Sequence, residues 1–240
     1  MSSEAKATFT LYTAPSPNGY KVSVTLGTTC LAAGSRAECS ICLLQTLDFS
    51  ILEQKQPWFL KINPNGRIPA LTHHYLNGKM SHFNVFESSA ILLYLVKHFD
   101  KERKISFLEG SEEESECLQW IFFIHGGIGP MQGQAIHFTR YAPEKIPYAI
   151  NRYTNETKRL FTVLDDRLKE GEGRDYLVGS GRGRYSIADI SAWTWYVLSI
   201  QYLNSETIES YPHFKGWLDR IGERPAVQLG LSVPLLPLQK

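Results

Sequence analysis

A chain of 240 residues with 43% apolar and 12% aromatic content holds enough core material for one large or two small globular domains. A net charge of +1, with acids and bases evenly scattered, excludes the broad electrostatic footprint of a nucleic-acid or anionic-membrane binder. The polar residues 1–6 lack the apolar stretch of a signal peptide, and the longest apolar run, residues 90–96, is too short to span a bilayer, so a cytoplasmic protein is expected.

Residues 8–12 alternate weakly and are rich in β-formers, which predicts a short first strand. Residues 13–19 hold two prolines, a serine, an asparagine and a glycine and read as a turn. A first helix is predicted from Asn18 or Gly19 through Val22, Val24 and Leu26. There the pattern breaks: residues 27–42 hold three of the four cysteines, and a second strand follows at 42–47. Residues 57–62 read as a short helix with Trp58 and Phe59 on a sheet. Residues 70–73 and 83–86 read as strands joined at Asn77-Gly78, a strong hairpin signal. Leu92, Leu95, Val96 and Phe99 fall at i, i+3, i+4 and i+7 and mark an amphipathic helix. The charged residues 100–111 form a linker.

Beyond the linker the periodicity is helical. Cys117, Trp120, Ile121 and Ile124 form one stripe, Tyr153, Thr157, Leu160, Phe161, Leu164 and Leu168 another, and Phe214, Trp217, Leu218 and Ile221 a third. The glycine-rich residues 171–183 lack both the lysine and the preceding strand of a phosphate loop and read as a flexible connector. Ser186-Ile187-Ala188-Asp189 is a capping-box pattern, worth about 1 kcal/mol for the cap, which keeps Asp189 off the catalytic set. Asn155-Glu156-Thr157 matches a glycosylation acceptor by chance inside a helical pattern. The expected architecture is an α/β domain over 8–99, a linker over 100–111 and an all-helical domain over 112–236.

Cys39-Ser40-Ile41-Cys42 is a C-x-x-C, a pattern of redox pairs and of half zinc sites. No second cysteine pair or His-x-x-x-His follows it, and no metal is expected.

Two stretches describe a small-molecule clamp. In Arg67-Ile68-Pro69-Ala70-Leu71 the proline has no N–H and holds Ile68 extended, leaving the Ile68 main chain open to pair with a peptide-like ligand. In Phe86-Glu87-Ser88-Ser89 a helix begins, and its N-terminus would hold a ligand carboxylate at Ser88 while Glu87 holds an amine. The implied ligand is a peptide carrying both charges.

Arg67-Ile68-Pro69-Ala70-Leu71 with Glu87-Ser88 resembles the glutathione-binding signature of the soluble glutathione transferases. Ser16-Pro17-Asn18-Gly19-Tyr20-Lys21, the run from Gly126 to Gln134, and Ile146-Pro147-Tyr148-Ala149-Ile150 resemble a narrower group, the bacterial nu-class and fungal nitrogen-repression-regulator-like transferases. The resemblance covers nearly all of residues 9–227, but residues 27–42 match nothing in the family and read as an insertion or as translated intron. It implies a thioredoxin-like N-terminal domain, a helical-bundle C-terminal domain, a cis proline at Pro69 and a homodimer acting in detoxification. In a thioredoxin-like fold the redox pair sits at the first helix N-terminus, a place that here belongs to residues 16–19, which argues against catalysis by the C-x-x-C.

Such an enzyme makes the glutathione thiol a thiolate, the form that reacts. A thiol of pKa near 8.5 is only about 3% ionised at pH 7, and stabilising the anion by about 2.7 kcal/mol lowers that pKa by about two units. By resemblance Asn18 and Ser16 contact the sulfur, and Asn18 can only donate a hydrogen bond to it. Gln54 and Arg67 hold the glycyl end and backbone, Ile68 pairs through its main chain, Glu87 and Ser88 bind the γ-glutamyl group, and Arg152 reaches a second glutathione or half of its disulfide. Two thiol ligands in a cysteine-free site imply glutathione-dependent disulfide reduction, with hydroperoxides and small electrophiles as further substrates. Plain alternatives stand beside these: Asn18 capping helix one, Glu87 capping the later helix, Arg67 as a surface charge, Arg152 paired with Glu156 at i+4. A binding protein of the same fold that sequesters a protein partner, as a prion-type relative does, is the competing function. Only seven residues precede the first strand here, where that relative carries a long Asn-rich tail, which favours the enzyme.

Overall fold

A computed structural model describes residues 7–32, 39–76, 80–199 and 210–232. In chain order its elements are β1 (Ala7–Thr13), α1 (Pro17–Ala32), β2 (Cys39–Thr46), α2 (Pro57–Leu60), β3 (Ala70–Leu76), β4 (Met80–Phe86) and α3 (Ser88–Phe99). There follow α4 (Glu112–Phe123), α5 (Gly129–Ile136), α6 (Pro147–Lys169), α7 (Ile187–Ser199), α8 (Pro212–Gly222) and α9 (Pro225–Ser232). The chain divides into two compact units, one of residues up to 104 with those from 225 onward, the other of residues 105–224.

The first unit is a four-stranded mixed sheet in the order β2-β1-β3-β4. β1 runs parallel to β2, with Phe9 opposite Cys42, and antiparallel to β3, with Tyr12 opposite Ala70. β3 and β4 pair antiparallel, Leu71 opposite Val85; the Asn77-Gly78 turn between them lies outside the described residues. The parallel pair is joined through α1, as a parallel connection requires.

Helix α1 begins at Pro17, one residue ahead of the sequence expectation, because Ser16 caps it: the Gly19 N–H donates to Ser16 Oγ at 3.1 Å. Proline at the first helical position loses no bond and sits at its preferred φ. The helix does not fray at Gly27. Thr25, Thr28 and Thr29 return their hydroxyls to the carbonyls of Lys21, Val24 and Thr25, so these β-branched residues are accommodated as far as Ala32. β2 starts at Cys39, earlier than the expected 42, because residues 39–42 pair with β1. Of the unmatched stretch 27–42, residues 27–32 are therefore helix and 39–42 strand, and the second strand pairs; residues 33–38 lie outside the described residues.

Phe59 of α2 is fully buried against Leu47, Ala70, Tyr12, Ile62 and Ile68. α9 returns to α1, where Ser23 Oγ donates to the Gly230 carbonyl at 2.7 Å.

The second unit is all helical. Gly126 and Gly127 lie in a wider π-helical stretch between α4 and α5. Phe161, Tyr196, Phe214 and Trp217 pack ring against ring at centroid distances of 4.6–6.3 Å and are buried to 1% exposure or less. Beneath them Asp189 accepts four hydrogen bonds, from the Leu177 N–H, the Ser186 N–H and hydroxyl, and Trp217 Nε1, at 2.9–3.1 Å. Burial pushes its carboxyl up to about 6, while those donors pull the other way. The capping box at Ser186 is thus a hub tying α7 to α8. The 171–183 loop, read as a flexible connector, is internally bonded: Arg174 donates to the carbonyls of Tyr176, Gly179 and Gly181, and Arg182 grips Asp175.

Candidate glutathione site

The Arg67–Leu71 and Phe86–Ser89 stretches come together with the start of α1 in the first unit. The Ile68–Pro69 peptide is cis. Among the described residues the Ile68 main chain has no hydrogen-bond partner, so both its groups are open to a ligand backbone. Its position is set by Asn63, which is 2% exposed: Nδ2 donates to the Arg67 carbonyl at 2.6 Å and Oδ1 accepts the Asn65 N–H at 2.9 Å. Gly66, at φ +61°, completes the bend, and a Cβ there would meet the Gln54 carbonyl at 2.9 Å.

Glu87 precedes α3 with φ 69° and ψ 119°, a left-handed backbone that few side chains adopt. It makes no side-chain cap to α3, so the capping alternative is not realised; its Oε1 instead accepts from Asn65 Nδ2 at 3.2 Å. Ser88, the first residue of α3, is 4% exposed. Its Oγ donates to Asn18 Oδ1 at 3.4 Å and accepts from Lys21 Nζ at 3.5 Å. Two helix N-termini, each a focus of unpaired N–H groups and partial positive charge, thus meet in one place.

Asn18 lies inside the first turn of α1 and Ser16 holds the cap, so the capping alternative belongs to Ser16. Gly19 is obligatory here: a Cβ would stand 2.4 Å from the Ala14 carbonyl and 2.5 Å from Thr13 Oγ1. Tyr12, a possible sulfur contact by residue type, is packed on Trp58 and Phe59. The Gln54 Oε1 is buried and without a partner among the described residues, and the Arg67 side chain is exposed.

Lys21 escaped the sequence reading. It is 1% exposed, and desolvation lowers its pKa to about 7, against the opposing charge of Glu87. The available signal was its spacing: Lys21 stands three residues after Asn18 on the same helix face. Asn63 and Asn65 were likewise missed, although Asn-Pro-Asn-Gly is turn chemistry.

Arg152 belongs to the second unit, on α6, where it is exposed and lines a cavity of about 740 Å³ with Met131, Tyr148, Glu156 and Arg159. Glu156 is held bidentately by Arg159 at 2.8 and 2.9 Å, and the nearby Arg152 charge adds to the pull that keeps its carboxyl below the usual range. Cys39 and Cys42 fall on β2, away from any helix N-terminus. Cys117 is buried, and burial pushes its thiol up to about 12, where it is inert.

Residues 7–97 match the family model of the glutathione S-transferase N-terminal domain, and residues 138–225 that of the C-terminal domain. The chain belongs to the glutathione transferase family. It is 40% identical over 217 residues to the disulfide-bond oxidoreductase YfcG of Escherichia coli, covering 90% of this chain and 91% of that protein. Among solved structures it resembles a glutathione transferase homologue from Lodderomyces elongisporus with two glutathione molecules per subunit, at 38% identity and a TM-score of 0.82, over 95% of this chain and 99% of that one. It also resembles the transferase URE2P6 of Phanerochaete chrysosporium in complex with oxidised glutathione, at 38% identity and a TM-score of 0.81, over 96% of each chain. The thioredoxin-like sheet and the helical second unit are those of the family.

Proposed function

We propose that this transferase reduces disulfides with glutathione, through a thiolate stabilised by Asn18 and with no protein cysteine in the cycle. The observation that carries this reading is the Ser88–Asn18 hydrogen bond, which joins the helix end suited to a carboxylate to the helix end suited to a sulfur anion. Glutathione spans that interval. Its γ-glutamyl carboxylate takes the α3 N-terminus at Ser88, its amine takes Glu87, its cysteinyl backbone pairs with Ile68, and Gln54 and Arg67 meet its glycyl end. The names of YfcG as a disulfide-bond oxidoreductase and of neighbours holding two glutathiones or the oxidised form support the same reading.

The chemistry is two exchanges. A glutathione thiolate attacks one sulfur of the substrate disulfide, forming a mixed disulfide and releasing a thiolate; a second glutathione thiolate attacks the mixed disulfide, releasing the other half and leaving oxidised glutathione. The two electrons come from the two glutathiones. The same thiolate serves hydroperoxides and small electrophiles. In a homodimer of cytoplasmic, detoxifying character Arg152 contacts the second glutathione, and Ser16 supports the sulfur site by fixing the first turn of α1. No helix among the described residues is long and apolar enough to cross a membrane.

The test is the rate at which glutathione reduces 2-hydroxyethyl disulfide. Activity is expected in wild type, lost in Asn18→Ala and kept in Cys39→Ser/Cys42→Ser. The reverse pattern moves the site to the C-x-x-C. Bound glutathione with no turnover in wild type favours a regulator that sequesters a protein partner.

A further inference from the structure

The Lys21 amine is 1% exposed, and its only direct hydrogen bond among the described residues is to a serine hydroxyl. Burying an ammonium is expensive unless a specific partner offsets it. That serine hydroxyl has one proton. With Lys21 Nζ donating to Ser88 Oγ, the Ser88 proton is directed onward, and its acceptor is Asn18 Oδ1. The consequence falls on the amide. An asparagine side chain presents an oxygen at one end and an NH2 at the other, and only the NH2 can stabilise a thiolate. Committing Oδ1 to Ser88 decides which end of Asn18 is which.

We propose that Lys21 is a positioning residue: through Ser88 it holds the Asn18 amide in the orientation that offers its nitrogen to the glutathione sulfur. This rests on the reading of Asn18 given above. Lys21, Ser88 and Asn18 form a single relay linking the carboxylate end of the site to the sulfur end. Ser88 thereby acts on the thiol as well as on the γ-glutamyl group. Cutting the relay removes the hydrogen bond that turns Oδ1 toward Ser88, and an amide oxygen set against the sulfur would repel the anion.

The decisive quantity is the thiol pKa of bound glutathione, read from the ultraviolet absorbance of the thiolate against pH at saturating glutathione. Lys21→Met, of similar length and apolar, and Ser88→Ala each raise that pKa by about one unit, a tenfold loss of thiolate below it. The turnover deficit shrinks at alkaline pH, where the thiol ionises unaided. The double variant Lys21→Met/Ser88→Ala resembles either single one, because both cut the same chain. Should Lys21→Met fail to fold, Ser88→Ala carries the test with the lysine in place. A depressed pKa in wild type that both variants retain, with only weaker glutathione binding, overturns the relay and leaves the function standing. An unperturbed pKa in wild type overturns both.

Discussion

Asn63 Nδ2 donates to the Arg67 carbonyl at 2.6 Å, and the same side chain accepts the Asn65 N–H. One buried amide thereby holds the loop that presents Ile68, and Asn65 passes the constraint to Glu87. Asn63→Ala removes both bonds and costs about 1–3 kcal/mol of stability. The loop that pairs with the ligand backbone loosens, so the glutathione KM rises about tenfold, a loss of about 1.4 kcal/mol, with a smaller change in kcat. Steady-state kinetics with glutathione varied at fixed disulfide separates the two.

Gly19 sits where a methyl group would press on the Ala14 carbonyl and the Thr13 hydroxyl. Backbone cannot step aside as a side-chain tip can, so Gly19→Ala shifts the first turn of α1. The expected cost is about 1–3 kcal/mol in thermal unfolding. Disulfide reductase activity falls further than that stability loss explains, because Asn18 is carried with the turn.

Lys21 gives the ligand-free protein a pH signature. Its folded pKa, lowered to about 7, lies below its ordinary unfolded value near 10.5, so between those limits the unfolded chain binds a proton that the native chain does not. Its contribution to stability is therefore present above pH 10.5 and lost as pH falls through 7, a difference on the order of 5 kcal/mol. Lys21→Met lacks this slope. Denaturant unfolding without glutathione is expected to find the variant more stable than wild type below pH 7, with the gap closing as pH rises.

Asp189 accepts from Trp217 and Leu177 as well as from the Ser186 cap. Asp189→Asn replaces one acceptor oxygen by a donor that must face other donors in a fully buried place. A loss of about 2–4 kcal/mol follows, well above the ~1 kcal/mol of a cap alone. Glutathione affinity measured below the melting transition is expected to stay unchanged, since Asp189 belongs to the second unit.

The local structure around the candidate site was legible in the sequence where it depends on neighbouring residues. Pro69 holds Ile68 extended wherever the loop goes, and Glu87-Ser88 opens a helix whatever packs on it. The stripe Leu92, Leu95, Val96 and Phe99 named a covered face from period alone: the first three are 8% exposed or less, and Phe99 is half-buried edge-on to Phe9. The start of β2 was not legible: Cys39-Ser40-Ile41-Cys42 has no period, and pairing with β1 makes it a strand. α9 shows the same limit: no stripe was read at residues 225–232, and only the folded chain brings Gly230 against Ser23 of α1.

By itself the sequence determined the first strand, the amphipathic helices, the helix start at Ser88 and the cap at Ser186, since each depends on residues within a turn or two of one another. Only the tertiary structure decided that Lys21, Ser88 and Asn18 share one chain of hydrogen bonds, with sixty-seven residues separating Lys21 from Ser88. It also decided that Asn63 holds the Arg67 carbonyl beside Ile68 and that Arg159 makes the bidentate bond to Glu156. A hydrogen bond depends on where its two atoms lie in space, and periodicity and turn chemistry carry no such distance.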